Sequence, residues 1–286
     1  MASQALKEST SVQEEDVMIT RPLAGIRTAI GDISDALVAY RIAMIFGWQD
    51  VAQRYRRSRL GAFWLTINMA VYIGALGMIF GTLFRSNIPE YLPHICSGVI
   101  VWGLISSSLS EGCTTFSGAS GIILQVKLPF FTHILRTLWK NIIVFFHNIL
   151  IFPVLYLILG QSFNFYVLLI APGLFLVCLN LAWVMLILAT LCCRFRDMTQ
   201  IVTNILQICF YLTPIIWTVK ILPESASRLI FELNPFYHLL QLIRAPLFGA
   251  PPAIASWLFA IGLAIIGWLL ALVFFGKYRW RIPYWL

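Results

Sequence analysis

The stretch NIIVFFHNILIFPVLYLILGQSFNFYVLLIAPGLFLVCLNLAWVMLILATLCC, residues 141–193, contains no Lys, Arg, Asp or Glu in its 53 positions. A helix crosses the ~30 Å hydrocarbon core of a bilayer in about 20 mostly apolar residues. The stretch is too long for one crossing and long enough for two. LGQSFNF at 159–165 places glycine and polar residues where the turn between them belongs.

Other charge-free stretches flank it. Residues 60–84 lie between Arg59 and Arg85, 91–110 between Glu90 and Glu111 with only His94 inside, then come 198–219 and 253–275. Together they predict an all-α membrane protein with six transmembrane helices at about 62–84, 93–118, 134–158, 166–192, 199–217 and 253–275. Composition agrees. Hydrophobic residues make up 60% and charged residues 11%, against ~45–50% and ~25% in soluble domains, and the mean hydropathy is +0.85.

The N-terminus is polar and acidic, without the basic-then-apolar pattern of a signal peptide. Residues 1–30 read as a disordered cytosolic segment, and 31–286 as a single membrane domain. Within it, 33–58 reads as an amphipathic helix. Ile33, Leu37, Tyr40, Met44, Trp48, Val51 and Tyr55 recur at three- or four-residue steps, with Ser34 as a start signal. The helix is too charged to cross and is expected to lie along the membrane surface or pack on protein there. Between spans five and six, residues 220–249 are also too charged to cross. Pro223, Pro235 and Pro246 divide them into two short re-entrant or outer-surface helices.

Lys and Arg mark the cytosolic side of such chains. With both termini inside, 16 of the 20 basic residues fall inside, leaving Arg85, Lys220, Arg228 and Arg244 outside. This predicts an N-in/C-in topology. The net charge of +8 is thus first a topology signal, and no soluble basic face remains for nucleic acid.

No catalytic constellation is visible. There is no phosphate-binding G-x-x-x-x-G-K-[ST] loop, no H-E-x-x-H and no G-x-S-x-G. His94, His133, His147 and His238 are scattered, and the six cysteines show no metal-ligand spacing. No metal or cofactor is expected on this chain. Span interiors carry almost no charge except Glu111, which argues against ion-coupled transport. Glu111 either lines a pathway or pairs with a basic residue of the next loop. Gly77-x-x-x-Gly81 has the spacing for close helix approach. The aromatics Tyr72, Phe80, Phe84, Phe210, Tyr211 and Trp217 lie in the spans, where they pack or face a sugar pathway. QRYRRSRLGAFW at 53–64 sets Arg54, Arg56, Arg57 and Arg59 just before the first span. Such a cluster can mean nucleic acid, anionic lipid, a partner protein or only a topology anchor.

RYRRSRLGAFW at 54–64, CRFRDM at 193–198, FYLTPIIW at 210–217 and LNPFYHLLQLIRAPLFG at 233–249 occur in that order. In this the chain resembles the permease subunits of ABC-2-type polysaccharide exporters, and its ending RIPYWL is similar to the O-antigen/lipopolysaccharide branch. The resemblance covers about residues 45–286. It implies a homodimer working with two copies of a separate nucleotide-binding ATPase, which would bind the ATP and Mg. It implies an undecaprenyl-diphosphate-linked glycan as substrate and the bacterial inner membrane as location. Spans one and five would line the conduit at the dimer interface, with Tyr72, Phe80, Phe84, Glu111, Phe210, Tyr211 and Trp217 as pathway residues. Arg54, Arg56, Arg57 and Arg59 would meet the carrier's phosphates or headgroups. The loop at about 120–133, with Gln125, Lys127, Leu128, Pro129 and Phe130, would contact the ATPases. The alternatives are an ABC-2 exporter of a drug or small lipid, an ATP-independent channel, and a membrane-embedded transferase, for which no acid or His cluster is visible.

Overall fold

The computed structural model describes residues 25–56, 60–61, 63–85, 87–161, 164–218 and 232–286, with the Tyr55 side chain left aside. Most of the expected disordered segment, Arg57, Arg59 and the first half of the expected outer helical pair lie outside the described residues. Among those described, the regular structure is all helical, with no strand. The helices are α1 (25–38), α2 (Tyr40–Tyr55), α3 (Phe63–Leu83), α4 (Ile88–Gly118), α5 (Ser120–Gln125), α6 (Phe130–Ile149) and α7 (Ile151–Ile158). A 3-10 turn at Phe165–Leu169 leads into α8 (Ile170–Arg194), followed by α9 (Met198–Leu212), α10 (Pro235–Leu247), α11 (Ile254–Tyr278) and α12 (Ile282–Trp285).

Five described segments are long and apolar enough to cross a membrane: Phe63–Leu83, Ile88–Gln125, Phe130–Ile158, Phe165–Arg194 and Ile254–Trp285. The fifth expected crossing, at about 199–217, differs. Helix α9 ends at Leu212, so its 15 residues span only roughly 22 Å at 1.5 Å per residue. The cause is Pro214, whose ring disfavours helical geometry in the residue before it. Thr213 accordingly sits at φ −89°, ψ 137°. Residues 213–216 are buried irregular backbone instead.

Helix α4 is the central mast. It is buried along most of its length and packs against α3, α6, α8, α9 and α10. The opening stretch turns as its glycine demands. Gly160 adopts φ 64°, and the Gln161 amide donates back to the Tyr156 carbonyl at 2.9 Å, closing the helix end with a left-handed residue. The Gly77/Gly81 pair faces α4: a Cβ on Gly77 would collide with the Leu92 side chain.

The amphipathic segment is longer than its sequence pattern suggests. It is helical from 25, with one break at Ala39, so Ser34 lies inside a helix rather than capping one. The expected large apolar stripe, Leu37, Tyr40, Met44 and Trp48, stays exposed. The face packed on protein is a second stripe of small residues, Ala29, Ala36, Ala43 and Gly47, joined by Val51 of the expected stripe. Gly47 lets α2 lie against α6, since a Cβ there would come within 2.8 Å of the Arg136 carbonyl oxygen. One helix therefore carries a protein-facing small stripe and a bulky stripe suited to a bilayer surface.

Candidate functional site

Where α2, α3, α4 and α6 meet, they enclose a cavity of about 660 Å³. Each helix sends polar residues into it at helical spacing. Helix α2 contributes Asp50 and Arg54, and α3 contributes Asn68 and Tyr72. Helix α4 contributes Ser107 and Glu111, and α6 contributes Lys140, Asn141 and Asn148. Apolar walls come from Leu65, Met69, Ile100, Leu104 and Phe145. Such polar groups are costly inside an apolar domain unless paired or wetted.

Two ion pairs close one end of the cavity. Arg136 of α6 grips Asp50 of α2 bidentately, Nε donating to Oδ2 at 2.7 Å and Nη2 to Oδ1 at 2.6 Å. Lys140 Nζ lies 2.7 Å from Glu111 Oε2, which also accepts from Asn141 Nδ2 at 2.8 Å. Beyond them is a second cavity of about 290 Å³, lined by Asp50, Glu111, Lys140, Thr114, Arg136 and Thr137. The four charges thus form the partition between two polar spaces. Glu111 has both attributes considered for it, since it pairs with a base and lines a cavity. Its partner Lys140 sits on α6 rather than in the loop.

Arg54 lines the large cavity and is exposed. Of the charged groups in that lining, it alone has no protein partner among the described residues. Arg56 sits exposed just beyond α2, outside the lining. Of the expected pathway residues, the cavity brings together only Tyr72 and Glu111.

The remaining pathway candidates gather elsewhere. Phe80 stacks on Phe84 at 5.9 Å, Phe84 meets Tyr91 at 6.2 Å, and Tyr91 meets His94 at 6.4 Å. Phe210 packs on Trp102 and on Tyr211, and the Trp217 indole N–H donates to the Tyr211 carbonyl at 3.0 Å. Both groups border the irregular segment after α9, whose carbonyls need donors because no helix supplies them. Arg244 of α10 supplies one and also bonds to α4. Its Nη1 donates to the Pro214 carbonyl at 2.6 Å and its Nη2 to the His94 carbonyl at 3.3 Å. The Tyr91 hydroxyl donates to Ile216 at 2.6 Å. Arg244 is only 5% exposed. Burial lowers its pKa, yet a guanidinium starts high enough to stay charged at neutral pH.

Helix α10 has its own start signal. Asn234 Oδ1 accepts from the amides of Phe236 at 2.9 Å and Tyr237 at 3.3 Å, with Pro235 as the first helical residue.

The segment between α4 and α6 is split. Helix α5 buries nothing, and Gln125 and Lys127 are exposed. Leu128, Pro129 and Phe130 are half-buried. Phe130 packs edge-on to Phe116 at 5.7 Å and carries the Arg279 guanidinium 5.5 Å from its ring centre. Asp32 of α1, fully buried, anchors this point. It accepts from the amides of Phe130 at 3.1 Å and Phe131 at 2.9 Å, and from Arg279 Nε at 2.9 Å and Nη2 at 2.8 Å.

Residues 43–248 match the profile of the ABC-2 type transporter family, which includes every residue lining the large cavity. The chain belongs to the ABC-2 type transporter family. Among curated relatives, it is 28% identical over 199 residues to an O-antigen export system permease protein RfbA of Myxococcus xanthus, covering 69% of this chain and 76% of that one. It is 26% identical over 191 residues to a Klebsiella pneumoniae protein of the same name, covering 65% and 72%. A second Klebsiella pneumoniae protein of that name is 23% identical over 240 residues, covering 82% and 90%.

As an ABC-2 permease the chain is a multi-pass transport subunit, and the family implies an ATPase partner. A search for charge alone overlooks Asn68, Ser107, Asn141 and Asn148 of its polar cavity. The signal was present as amides inside apolar spans, which are as informative there as ions. Arg244 was readable only as an outer-side charge, because its carbonyl partners are 30 and 150 positions away in sequence.

Proposed function

We propose that this ABC-2 permease moves a lipid-linked, O-antigen-like polysaccharide from the cytoplasm to the periplasm. It works as a homodimer in the bacterial inner membrane with both termini inside, driven by two ATPase subunits that bind the ATP and Mg. The substrate's carrier is an undecaprenyl diphosphate. The observation that carries this reading is Arg54, without a protein partner among the described residues, at a polar cavity between apolar helices, in a chain whose relatives are named O-antigen export permeases. A guanidinium binds phosphate bidentately. Amide and hydroxyl groups such as Asn68 and Ser107 suit sugar hydroxyls. Exposed Gln125 and Lys127 would meet the ATPase, while half-buried Phe130, tied to Asp32, would carry its movement into α6 and α1.

The test is reconstitution of the permease with its ATPase in proteoliposomes. Lipid-diphosphate-linked glycan should stimulate ATP hydrolysis, and Arg54→Glu should weaken that stimulation about 10- to 100-fold at equal protein level, the loss expected for charge-assisted hydrogen bonds of ~1.5–3 kcal/mol. Full stimulation in Arg54→Glu rejects the phosphate role. Stimulation by a small lipid or drug but not by glycan-lipid rejects the substrate class.

A further inference from the structure

A second site lies apart from the polar cavity, where the ends of α8 and α11 meet the last residues of the chain. They form a cleft of about 280 Å³ lined by Arg194, Phe195, Phe274, Tyr278, Arg281 and Trp285. Both charged residues in it are arginines, and no acid lines it. Among the described residues neither arginine has a carboxylate or carbonyl partner. Each is held only by aromatic rings. The Arg194 guanidinium lies 5.2 Å from the Phe195 ring centre and 5.3 Å from that of Trp285, and the Arg281 guanidinium 4.8 Å from that of Trp280. Ring contacts orient a guanidinium through its face and leave its N–H edge free to donate. Arg136, Arg244 and Arg279, by contrast, all spend N–H donors on protein oxygens.

The surroundings place these free donors at headgroup depth. Both α8 and α11 end candidate membrane spans here. Trp280 is 62% exposed and Tyr284 81% exposed, as aromatics are at a membrane–water boundary. Along α11, Ile266 and Leu270 are exposed and precede Phe274 at four-residue steps. They therefore form an apolar track leading from the lipid-facing side of the span into the cleft.

We propose that this cleft is a binding site for an anionic phospholipid, its phosphate held by Arg194 and Arg281 and its acyl chain lying along Ile266 and Leu270. The two cations without counter-charge favour a net-negative headgroup, and the continuous apolar track favours a lipid over a free anion. Basic pockets between membrane helices are suited to such headgroups. The site does not depend on what the polar cavity transports.

Native mass spectrometry of the detergent-purified full chain tests this, with phosphatidylglycerol, phosphatidylcholine, a polyprenyl phosphate and inorganic phosphate as probes. Phosphatidylglycerol should bind at least about tenfold tighter than phosphatidylcholine. The double variant Arg194→Gln/Arg281→Gln should weaken it about thirtyfold, from roughly one surface-charge contribution per arginine. Arg194→Lys/Arg281→Lys should keep part of the preference. The proposal fails if phosphatidylglycerol shows no preference over phosphatidylcholine in the wild type, a measurement that needs no variant. It also fails if the Gln variant, eluting as a single folded species, binds as tightly as wild type. Displacement of the lipid by equimolar inorganic phosphate would make this a small-anion site. Binding of the polyprenyl phosphate in place of phosphatidylglycerol would make it a carrier site. Either result overturns the proposal.

Discussion

Replacing Asp32 by Asn should weaken the junction between α1, α6 and the C-terminal segment. Asp32 Oδ2 accepts from Phe130 N–H and from two Arg279 nitrogens, while Oδ1 accepts only from Phe131 N–H. An Asn in its best orientation keeps its oxygen on the three donors and turns its NH2 toward the Phe131 amide. That buried N–H then has no acceptor, at a cost of about 1–3 kcal/mol. Loss of the negative charge leaves Arg279 without its counter-ion and removes an anion from the start of α6, together about 1–2 kcal/mol. The expected total is about 2–5 kcal/mol. At about 2–4 °C per kcal/mol for a chain of this size, the apparent melting temperature in detergent should fall by roughly 4–20 °C. Arg279→Gln should fall less, because Asp32 keeps both backbone amides. In the double variant the two losses should be less than additive, since both act through one carboxylate. A melting temperature within about 1 °C of wild type in Asp32→Asn, or full additivity in the double variant, refutes the shared-carboxylate reasoning.

Arg244→Met should keep the volume of the side chain but strand the Pro214 carbonyl, while the His94 carbonyl keeps the Ser97 hydroxyl as a donor, destabilising by about 1–3 kcal/mol; equal thermal stability would show that another donor reaches Pro214. Gly47→Val should push α2 off α6, since its Cβ begins 2.8 Å from a backbone oxygen, at about 1–3 kcal/mol. Increased protease cleavage around residues 39–56 reports this, and an unchanged pattern counts against it. Exchanging Glu111 and Lys140 as Glu111→Lys/Lys140→Glu should recover most of the stability lost in Glu111→Lys alone, because the pair is only partly exposed. No recovery would mean that position within the partition matters more than charge.

How much of this was legible in the sequence differs by element. The charge-free run 141–193 specified two crossings and Gly160 their turn, because a bilayer imposes length and a left-handed residue imposes glycine. The Asn-Pro pair at 234–235 marked the start of α10, because capping is local chemistry. The amphipathic helix was legible as an element but not in its facing. Its bulky stripe stood out, yet the small stripe through Gly47 makes the protein contact, and small residues carry little apolar signal of their own.

By itself, then, the sequence determined an all-helical membrane chain, five of its apolar crossings and its family resemblance, since each rests on length, hydropathy or local motif. Only the tertiary structure decided where polar groups meet. The cavity assembles residues from positions 50 to 148, and the Asp32–Arg279 pair joins positions 247 apart. It also decided that the fifth apolar stretch stops at Leu212 and hands its remaining carbonyls to Arg244 and Tyr91. A hydropathy pattern reads each residue against the bilayer. A buried polar group answers to whichever partner the fold brings within about 3 Å, and that partner has no fixed spacing in the chain.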